Sequence, residues 1–210
     1  MLLEDFDFQL PQSLIAQQPS ANRGDARLLA VNMGSRTLGD NFVHELPSFL
    51  NEGDLLVLND TKVIPARLYA RKKTGGKVEI LVERVLSKND VLVRLRANRA
   101  LKVNDQLEVM PVGELTITQK KDLFCILSSR GPESLEEIFR RSGHVPLPPY
   151  IKRADSLVDI DRYQTIFASK PGAIAAPTAG LHITKALLDA LAKKRIDVGF
   201  LTLHVGSGTY

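Results

Sequence analysis

The sequence predicts an α+β or mixed α/β fold, in which a larger α/β domain carries an inserted small antiparallel β-barrel domain. Short strand-like runs separated by turn signals recur between Val63 and about Arg130, a pattern typical of a small barrel or sandwich. On either side of that region, apolar runs at 54–58 and 198–205 predict buried strands. We therefore expect a discontinuous α/β domain at residues 1–64 and 146–210, interrupted by a barrel-like domain at residues 65–145.

Turn and capping signals place the individual elements. Gly34 marks the turn of a hairpin, Ser134 and Glu137 form a capping box, and Thr184 has the hydroxyl that an N-cap needs. The predicted elements, in chain order, are a hairpin at 27–31 and 37–43, a short helix at 46–50, a strand at 54–58, barrel strands at 66–71, 77–85, 90–96, 106–109, 114–118 and 123–127, a helix at 134–141, a strand opening at 163–165 and ending at 168, a helix beginning after 184, and a strand at 198–205.

A polar run follows the first buried strand directly. Asn59, Asp60 and Thr61 stand at the carboxyl end of that strand, where small polar residues suit a ligand-binding loop. The same residue types also form ordinary turns, so both interpretations stay open.

Positive charge is concentrated in the middle of the chain. Residues 62–153 carry 19 Lys/Arg against 10 Asp/Glu, and the remainder carries 9 against 14. Such a bias indicates either a patch for a polyanion such as nucleic acid or an ordinary solvated surface. Just beyond the predicted barrel, three prolines between His144 and Arg153 stiffen a segment that presents Tyr150, Lys152 and Arg153, or that simply crosses between domains.

The last forty residues have the order loop, helix, strand and glycine loop. His182 lies at the start of the helix and His204 at the end of the strand, beside glycine-rich turns at 179–180 and 206–208. Because ligands of open α/β sheets bind outside the carboxyl ends of strands, both histidines are candidates for one cleft. The alternative is that each histidine is a packing or capping residue.

Composition limits the class of protein. No apolar run approaches the length that spans a membrane, and the N-terminus does not resemble a secretion signal, so we expect a soluble protein. The single cysteine, Cys125, lies in an apolar run and is expected to be buried; it gives neither a disulfide framework nor a metal cluster.

Six ordered blocks together resemble one family. They are GDLLVLNDTKVIPARL at 53–68, TGGKVE at 74–79, GHVPLPPYIKR at 143–153, RYQT at 162–165, AAPTAGLH at 175–182 and LHVG at 203–206. The chain is similar, along essentially its whole length, to the S-adenosylmethionine:tRNA ribosyltransferase-isomerases of queuosine biosynthesis. The resemblance implies an α/β domain with a small β-barrel, a cytoplasmic location, no metal, and S-adenosylmethionine as a co-substrate.

The resemblance also implies a reaction. These enzymes transfer and isomerise the ribosyl group of S-adenosylmethionine onto a 7-aminomethyl-7-deazaguanine base at the wobble position of tRNA. The products are epoxyqueuosine-tRNA, adenine and methionine. The partners implied are that tRNA and S-adenosylmethionine, with no membrane, and the full-length parent is expected to be a monomer.

A sulfonium acidifies the neighbouring C–H bonds. A base whose pKa lies near neutral pH can therefore remove one of these protons and start the rearrangement. We expect His182 and His204 to be catalytic, with Asp60 as a partner or alternative base. Glycine turns would admit the adenosyl group, Tyr150 or Tyr163 would stack on a base, and cationic side chains would hold phosphates. The expected substrate-binding residues are Asn59, Thr61, Arg67, Tyr150, Lys152, Arg153, Tyr163, Gln164, Thr178, Gly180, Gly206, Gly208 and Thr209.

Two departures from the family pattern bear on these expectations. Family members continue well past the LHVG block, whereas this chain ends at Tyr210, so we expect the 210 residues to be inactive by themselves. Ile183 stands where an aromatic residue is expected, which weakens the case for stacking there. The competing functions are a non-catalytic RNA-binding module and a methyltransferase; the second lacks the glycine-rich motif that usually follows the first strand.

Overall fold

A computed structural model of the chain describes residues 2–110 and 113–209. The strands are β1 Arg27–Asn32, β2 Thr37–Phe42, β3 Leu55–Asn59, β4 Thr61–Val63, β5 Arg67–Lys72, β6 Lys77–Val85, β7 Asp90–Ala97, β8 Gln106–Val109, β9 Gly113–Lys121, β10 Phe124–Ser129, β11 Lys170–Ala173 and β12 Asp197–Leu201. The α-helices are α1 Leu135–Ser142, α2 Leu157–Arg162 and α3 Lys185–Lys193. Short 3-10 helices lie at Leu3–Phe6, Gln12–Leu14, Arg23–Asp25, Val43–Phe49, Thr178–His182 and Ser207–Thr209.

A closed antiparallel barrel forms the central part of the chain. Its strands are hydrogen-bonded in the order β10-β7-β6-β5-β8-β9. Strand residues alternate between the two faces, and β6 shows the consequence, since Val78, Ile80 and Val82 are buried while their neighbours are not. Helix α1 packs against this core through Leu135, Ile138 and Phe139, which are buried in the same cluster.

Parallel strand pairs and one helix form the other half. β3 pairs with β12 and β4 pairs with β11, both in parallel. Helix α3 connects β11 to β12, and its start is fixed because the Thr184 hydroxyl accepts a hydrogen bond from the Leu187 N–H at 3.1 Å. Its apolar face, with Leu187 and Leu191, packs on Val43 and Ile196 in a second core cluster.

The predicted fold class is confirmed: the structure is mixed α/β with a closed barrel rather than a sandwich. The barrel strands and α1 all fall between residues 65 and 145, and the exact domain limits stay a prediction. Cys125 is buried, as expected. The described helices are all too short or too polar to span a lipid bilayer.

Two strand predictions were wrong. The strand expected to open at 163–165 does not form; those residues follow α2, and the strand begins at Lys170 instead. The strand expected to run to residue 205 ends at Leu201, because the next residues bond to side chains of the polar run instead of to a neighbouring strand.

Candidate functional site

The segment carrying His204 is held by the polar run that follows β3. The Asn59 side chain donates to the Leu203 carbonyl at 2.9 Å, and its amide oxygen accepts the Leu203 N–H at 3.0 Å. This pair of bonds imitates one step of a β-ladder, so a side chain continues the sheet after β12 has ended. Asn59 therefore fixes the backbone just before His204 without a further strand.

Asp60 holds the residue before that step. One carboxylate oxygen accepts a hydrogen bond from the Thr202 hydroxyl and the other from the Ser169 hydroxyl, each at 2.6 Å. These bonds, with Lys170 nearby, lower the pKa of Asp60 below its usual value. A carboxylate stabilised in this way is a weaker base, so the geometry favours a positioning role for Asp60.

His204 itself is fixed by a hydroxyl and a glycine. The Thr61 hydroxyl, on a residue with 0% exposure, lies 2.7 Å from His204 Nδ1. On the other side, Gly172 has a φ of +147°, and a Cβ there would meet the imidazole atoms at 2.8–2.9 Å. Glycine is therefore required at 172 both by its backbone angle and by the ring against it. The imidazole is exposed; Nδ1 is paired, and Nε2 has no partner within residues 2–110 and 113–209, which leaves it available to a ligand.

The loop after His204 is tied to the barrel. Val205 accepts hydrogen bonds through its carbonyl from the N–H groups of Ile174 at 2.8 Å and Ala175 at 3.2 Å. The buried Ser207 donates its hydroxyl to Glu83 on β6 at 2.5 Å. A Cβ at Gly206 would lie 2.8 Å from a Glu83 oxygen, so the glycine lets the loop approach the barrel wall. The His204 loop thus bridges the two halves of the molecule.

His182 lies in a different setting. It ends the 3-10 helix Thr178–His182 and lines a cavity of about 290 Å³, a volume at the lower end of the range for small-ligand pockets. Tyr150, Tyr163 and Thr178 line the same cavity, whereas His204 is not among the residues that line it. The structure therefore brings His182 together with several predicted binding residues. His204 lies outside that cavity, in contact with Thr61 and Gly172. That both histidines serve one reaction stays a prediction.

The two candidate stacking residues differ in exposure. Tyr163 is 8% exposed and packs in a core cluster with Val145 and Leu147, while Tyr150 is 49% exposed. A base can stack only on an accessible ring face. Tyr150 is therefore the better of the two candidates.

Gln17 and Arg153 build one wall of the cavity. The Gln17 side chain donates to the Tyr150 carbonyl at 3.1 Å and accepts the Lys152 N–H at 2.6 Å. Arg153 forms a bidentate pair with Asp159, at 2.6 and 2.8 Å, and donates its Nε to the Gln17 carbonyl at 2.7 Å. With its nitrogens so engaged, Arg153 is suited to holding the wall and poorly suited to gripping a phosphate.

Arg153 and Asp159 form a charge pair at the site in which the carboxylate is buried. The Asp159 side chain is 4% exposed, and the Arg153 guanidinium lowers its pKa to about 2. Ser156 adds hydrogen bonds from its N–H and its hydroxyl to the same carboxylate, at 2.8 and 2.9 Å. A buried carboxylate with these donors stays ionised at neutral pH and fixes the start of α2.

Other predicted binding residues make structural contacts. Gln164 pairs its side-chain amide with both backbone groups of Val63, at 3.0 and 3.1 Å. Arg67 donates to the Leu147 carbonyl at 3.0 Å and has Glu79 2.8 Å from its Nε. Both side chains connect separate segments of the fold, and their role in binding substrate stays a prediction.

Small residues at the predicted site differ in how crowded they are. A Cβ at Gly180 would meet Thr165 at 3.0 Å, whereas a Cβ at Gly208 would meet nothing within 4 Å. Lys152 is exposed. Thr209 ends the last 3-10 helix, and its side chain lies outside the described part of the structure.

Sequence reasoning missed several residues that the geometry makes important. Ser169 and Thr202 hold Asp60, Gly172 contacts His204, Gln17 supports the cavity wall, and Asp159 pairs with Arg153. Only Gly172 carried a signal, since it lies in the run of small residues at 171–180. Arg153 and Asp159 are only six residues apart, whereas the remaining contacts join residues far apart in the chain, and a single sequence gives no indication of them.

Comparison with known proteins decides the family. A profile described as "Queuosine biosynthesis protein" matches residues 3–210. The chain belongs to this family. Among the chain's curated relatives, S-adenosylmethionine:tRNA ribosyltransferase-isomerase of Legionella pneumophila (strain Lens) is 46% identical over 208 residues, covering 99% of this chain and 61% of that protein. The proteins of that name from Vesicomyosocius okutanii and from Buchnera aphidicola are 47% and 43% identical, each covering 100% of this chain and 61% and 60% of the relative.

This family member spans about three fifths of the length of the curated relatives it matches. A crystal structure of S-adenosylmethionine tRNA ribosyltransferase from Thermotoga maritima is 29% identical and covers 96% of this chain and 58% of that one. Its TM-score of 0.39 is too low for the superposition to support an argument. Among the residues described, no three His, Cys, Asp or Glu side chains are grouped so that they could hold a metal ion.

Proposed function

We propose that the chain carries the S-adenosylmethionine-binding and ribosyl-transfer site of a tRNA ribosyltransferase-isomerase. The substrate pair is S-adenosylmethionine and a tRNA with 7-aminomethyl-7-deazaguanine at its wobble position. The products are epoxyqueuosine-tRNA, adenine and methionine. The observation that carries the proposal is the family match over residues 3–210, with relatives of that named activity at 43–47% identity.

In this proposal His204 is the base that removes a proton from the ribosyl carbon next to the sulfonium. The Thr61 contact assigns one imidazole nitrogen to the protein, so the substrate meets the other. For His204 Nε2 to accept a proton, Nδ1 must carry the hydrogen and donate it to the Thr61 oxygen. The hydroxyl is able to accept that hydrogen, and the same contact keeps the ring from rotating.

The other catalytic candidates take different parts. Asp60 positions the His204 segment through Thr202, and its lowered pKa makes it the poorer base. His182 faces the cavity beside Tyr150, where an aromatic ring and an imidazole suit a purine or deazaguanine ring. We assign His182 to nucleobase binding or to proton transfer at the leaving adenine.

The proposal extends to the setting of the enzyme. S-adenosylmethionine is a co-substrate and no metal is needed, because the sulfonium itself supplies the positive charge that makes the neighbouring C–H acidic. The enzyme acts as a monomer in the cytoplasm, where tRNA is modified.

The test is adenine release. S-adenosylmethionine is incubated with a modified anticodon stem-loop and with the complete product of the gene, and in parallel with the 210 residues alone. Adenine and a mass increase on the stem-loop are expected from the complete product. Formation of S-adenosylhomocysteine would select the methyltransferase alternative, and stem-loop binding without adenine would select the RNA-binding module.

A matched pair of variants tests the assigned base. His204→Ala is expected to lower turnover by at least a hundredfold, within the range for loss of a general base. His44→Ala is the control, because His44 is an exposed histidine that stacks on Phe42. Equal activity of the two variants would remove His204 from the mechanism.

A further inference from the structure

Three neighbouring barrel strands present a basic groove on their outer face. It has a volume of about 520 Å³ and is lined by Tyr69 and Arg71 on β5, Lys77 and Glu79 on β6, and Arg96 on β7. We call these five residues the barrel groove. In the strand register Tyr69 lies opposite Glu79, Glu79 opposite Arg96, and Arg71 opposite Lys77.

The pairing of Arg71 with Lys77 is unfavourable in the free protein. Like charges directly opposite each other on adjacent strands destabilise a sheet. Arg71, Lys77 and Arg96 form no side-chain hydrogen bond or ion pair within the described residues. Glu108 on β8 lies opposite Arg71 in the strand register but forms no ion pair with it. The groove holds these three cations against two carboxylates, Glu79 and Glu108, and Glu79 already pairs with Arg67, so an excess of positive charge remains for a ligand to neutralise.

Other cations of the basic region are already engaged. Arg94 lies over the ring of Phe124 at 6.0 Å and bonds to Ser207. Lys72 donates to the carbonyls of Arg99 and Ala100 at 3.3 and 3.1 Å. The cations of the barrel groove are therefore more available to a ligand than Arg94 and Lys72 are.

A stiff segment connects the barrel groove to the His182 cavity. The Tyr69 ring, 51% exposed, meets the ring of His144 edge-on, with centroids 5.0 Å apart. From His144 the proline-rich segment runs to Leu147 and Tyr150, which line the cavity. Six residues span at most roughly 20 Å, so a few successive nucleotides of one strand can reach from the barrel groove to the cavity.

We propose that the barrel groove binds the phosphodiester backbone of the tRNA anticodon stem, next to the wobble base that enters the cavity. This inference rests on the proposed function for its ligand. Arg71 and Lys77 neutralise phosphates, and Arg96 extends the row along the stem. The Glu79 carboxylate repels phosphates, so the RNA backbone contacts only the edge of the groove that holds the cations. This orients the RNA strand.

Binding of an unmodified anticodon stem-loop, measured against salt concentration, tests the groove. The 210-residue chain with Arg71→Gln and Lys77→Gln is compared with a control that loses the same charge elsewhere on the barrel, Arg84→Gln and Lys121→Gln. Both control positions are exposed and lie outside the groove. Each phosphate contact contributes roughly 0.9 to the slope of log affinity against log salt on duplex, so the groove variant should lose about 1.8 from the slope.

The expected result is a shallower slope for the groove variant only, and an affinity loss between 50 and 200 mM salt that is about tenfold smaller than for the unaltered chain. Matching melting temperatures confirm that the variants are folded, as expected for exposed side chains. An unchanged slope, an equal change in the control, or no binding of the unaltered chain at 50 mM salt would overturn the proposal. These readouts need no turnover, so absence of adenine release would count against the proposed function and leave the groove supported.

Discussion

Asp159→Asn should destabilise the fold and loosen the cavity wall at the same time. The change keeps the size of the side chain but removes the charge that pairs with Arg153. It also weakens the bonds from Ser156, since an amide oxygen is a poorer acceptor than a carboxylate. The wall segment that carries Tyr150 then keeps its bonds with Gln17 but loses the support of the ion pair.

The pKa of Asp159 sets the magnitude. The pKa falls from the ordinary value of 3.8 to about 2, and a shift of this size corresponds to about 2 kcal/mol of stabilisation of the ionised form. Removing one partner of a buried pair typically costs about 3–5 kcal/mol. Arg153 keeps its bonds to the carbonyls of Gln17 and Ala154, so we expect about 3 kcal/mol.

The pH dependence follows from the direction of the shift. Because the folded-state pKa lies below the ordinary value, the stabilisation is complete above about pH 4 and is lost as the pH falls through about 2. In the Asn variant, the free energy of unfolding should not show this loss as the pH falls. The assay is urea unfolding followed by circular dichroism at several pH values.

Two further variants isolate the pair. Asp189→Asn removes a carboxylate that pairs with Lys185 on the exposed face of α3, and it should cost less than about 0.5 kcal/mol. A double-mutant cycle with Arg153→Ala should give a coupling free energy of about 2 kcal/mol. A cost below about 1 kcal/mol for Asp159→Asn, together with an unchanged loss of stability at low pH, would refute the reasoning.

Three predictions concern the His204 loop. Thr61→Val removes the hydroxyl at similar volume, so kcat should fall about 10- to 100-fold with little change in KM, and Thr61→Ser should restore it; steady-state kinetics of both variants decide this. Gly172→Ala forces a Cβ into the His204 ring at a left-handed backbone angle, so it should lower both the melting temperature and turnover, and unchanged values of both would contradict the observed packing. Asp60→Asn should lower turnover less than tenfold if Asp60 positions the loop, whereas a loss of a hundredfold or more in kcat would make it the base.

The barrel was predictable because its signals are local. Alternation of apolar residues along β6 and the turn glycines at 75 and 76 mark a strand and its end within a few residues. The capping box at Ser134 fixed the start of α1 in the same way, and its reciprocal bonds with Glu137 are present. Closure into a barrel instead of a sandwich depends on pairing between distant strands, and the sequence left that open.

The strand predicted at 163–168 failed for a different reason. Residues 163–167 are rich in the aromatic and β-branched types that favour a strand, yet Tyr163 is buried in a cluster with Val145, and Gln164 bonds to the backbone of Val63. Tertiary contacts outweighed the local pattern.

The candidate site was predictable in its residue types and not in its contacts. The sequence placed polar residues after β3 and a histidine after β12, and the structure brings Thr61 and His204 together. It could not separate Arg94, which bonds to Ser207, from Arg96, which has no partner among the described residues of the barrel groove. Such distinctions depend on which face of a strand meets another segment.

Adenine release is the most direct test of the central claim, that the clamped His204 loop works on a sulfonium nucleoside. We expect the complete gene product to release one adenine for each modified stem-loop, and the His204→Ala variant to bind the stem-loop without releasing adenine. Adenine release at the same rate from the His204→Ala variant would contradict the claim.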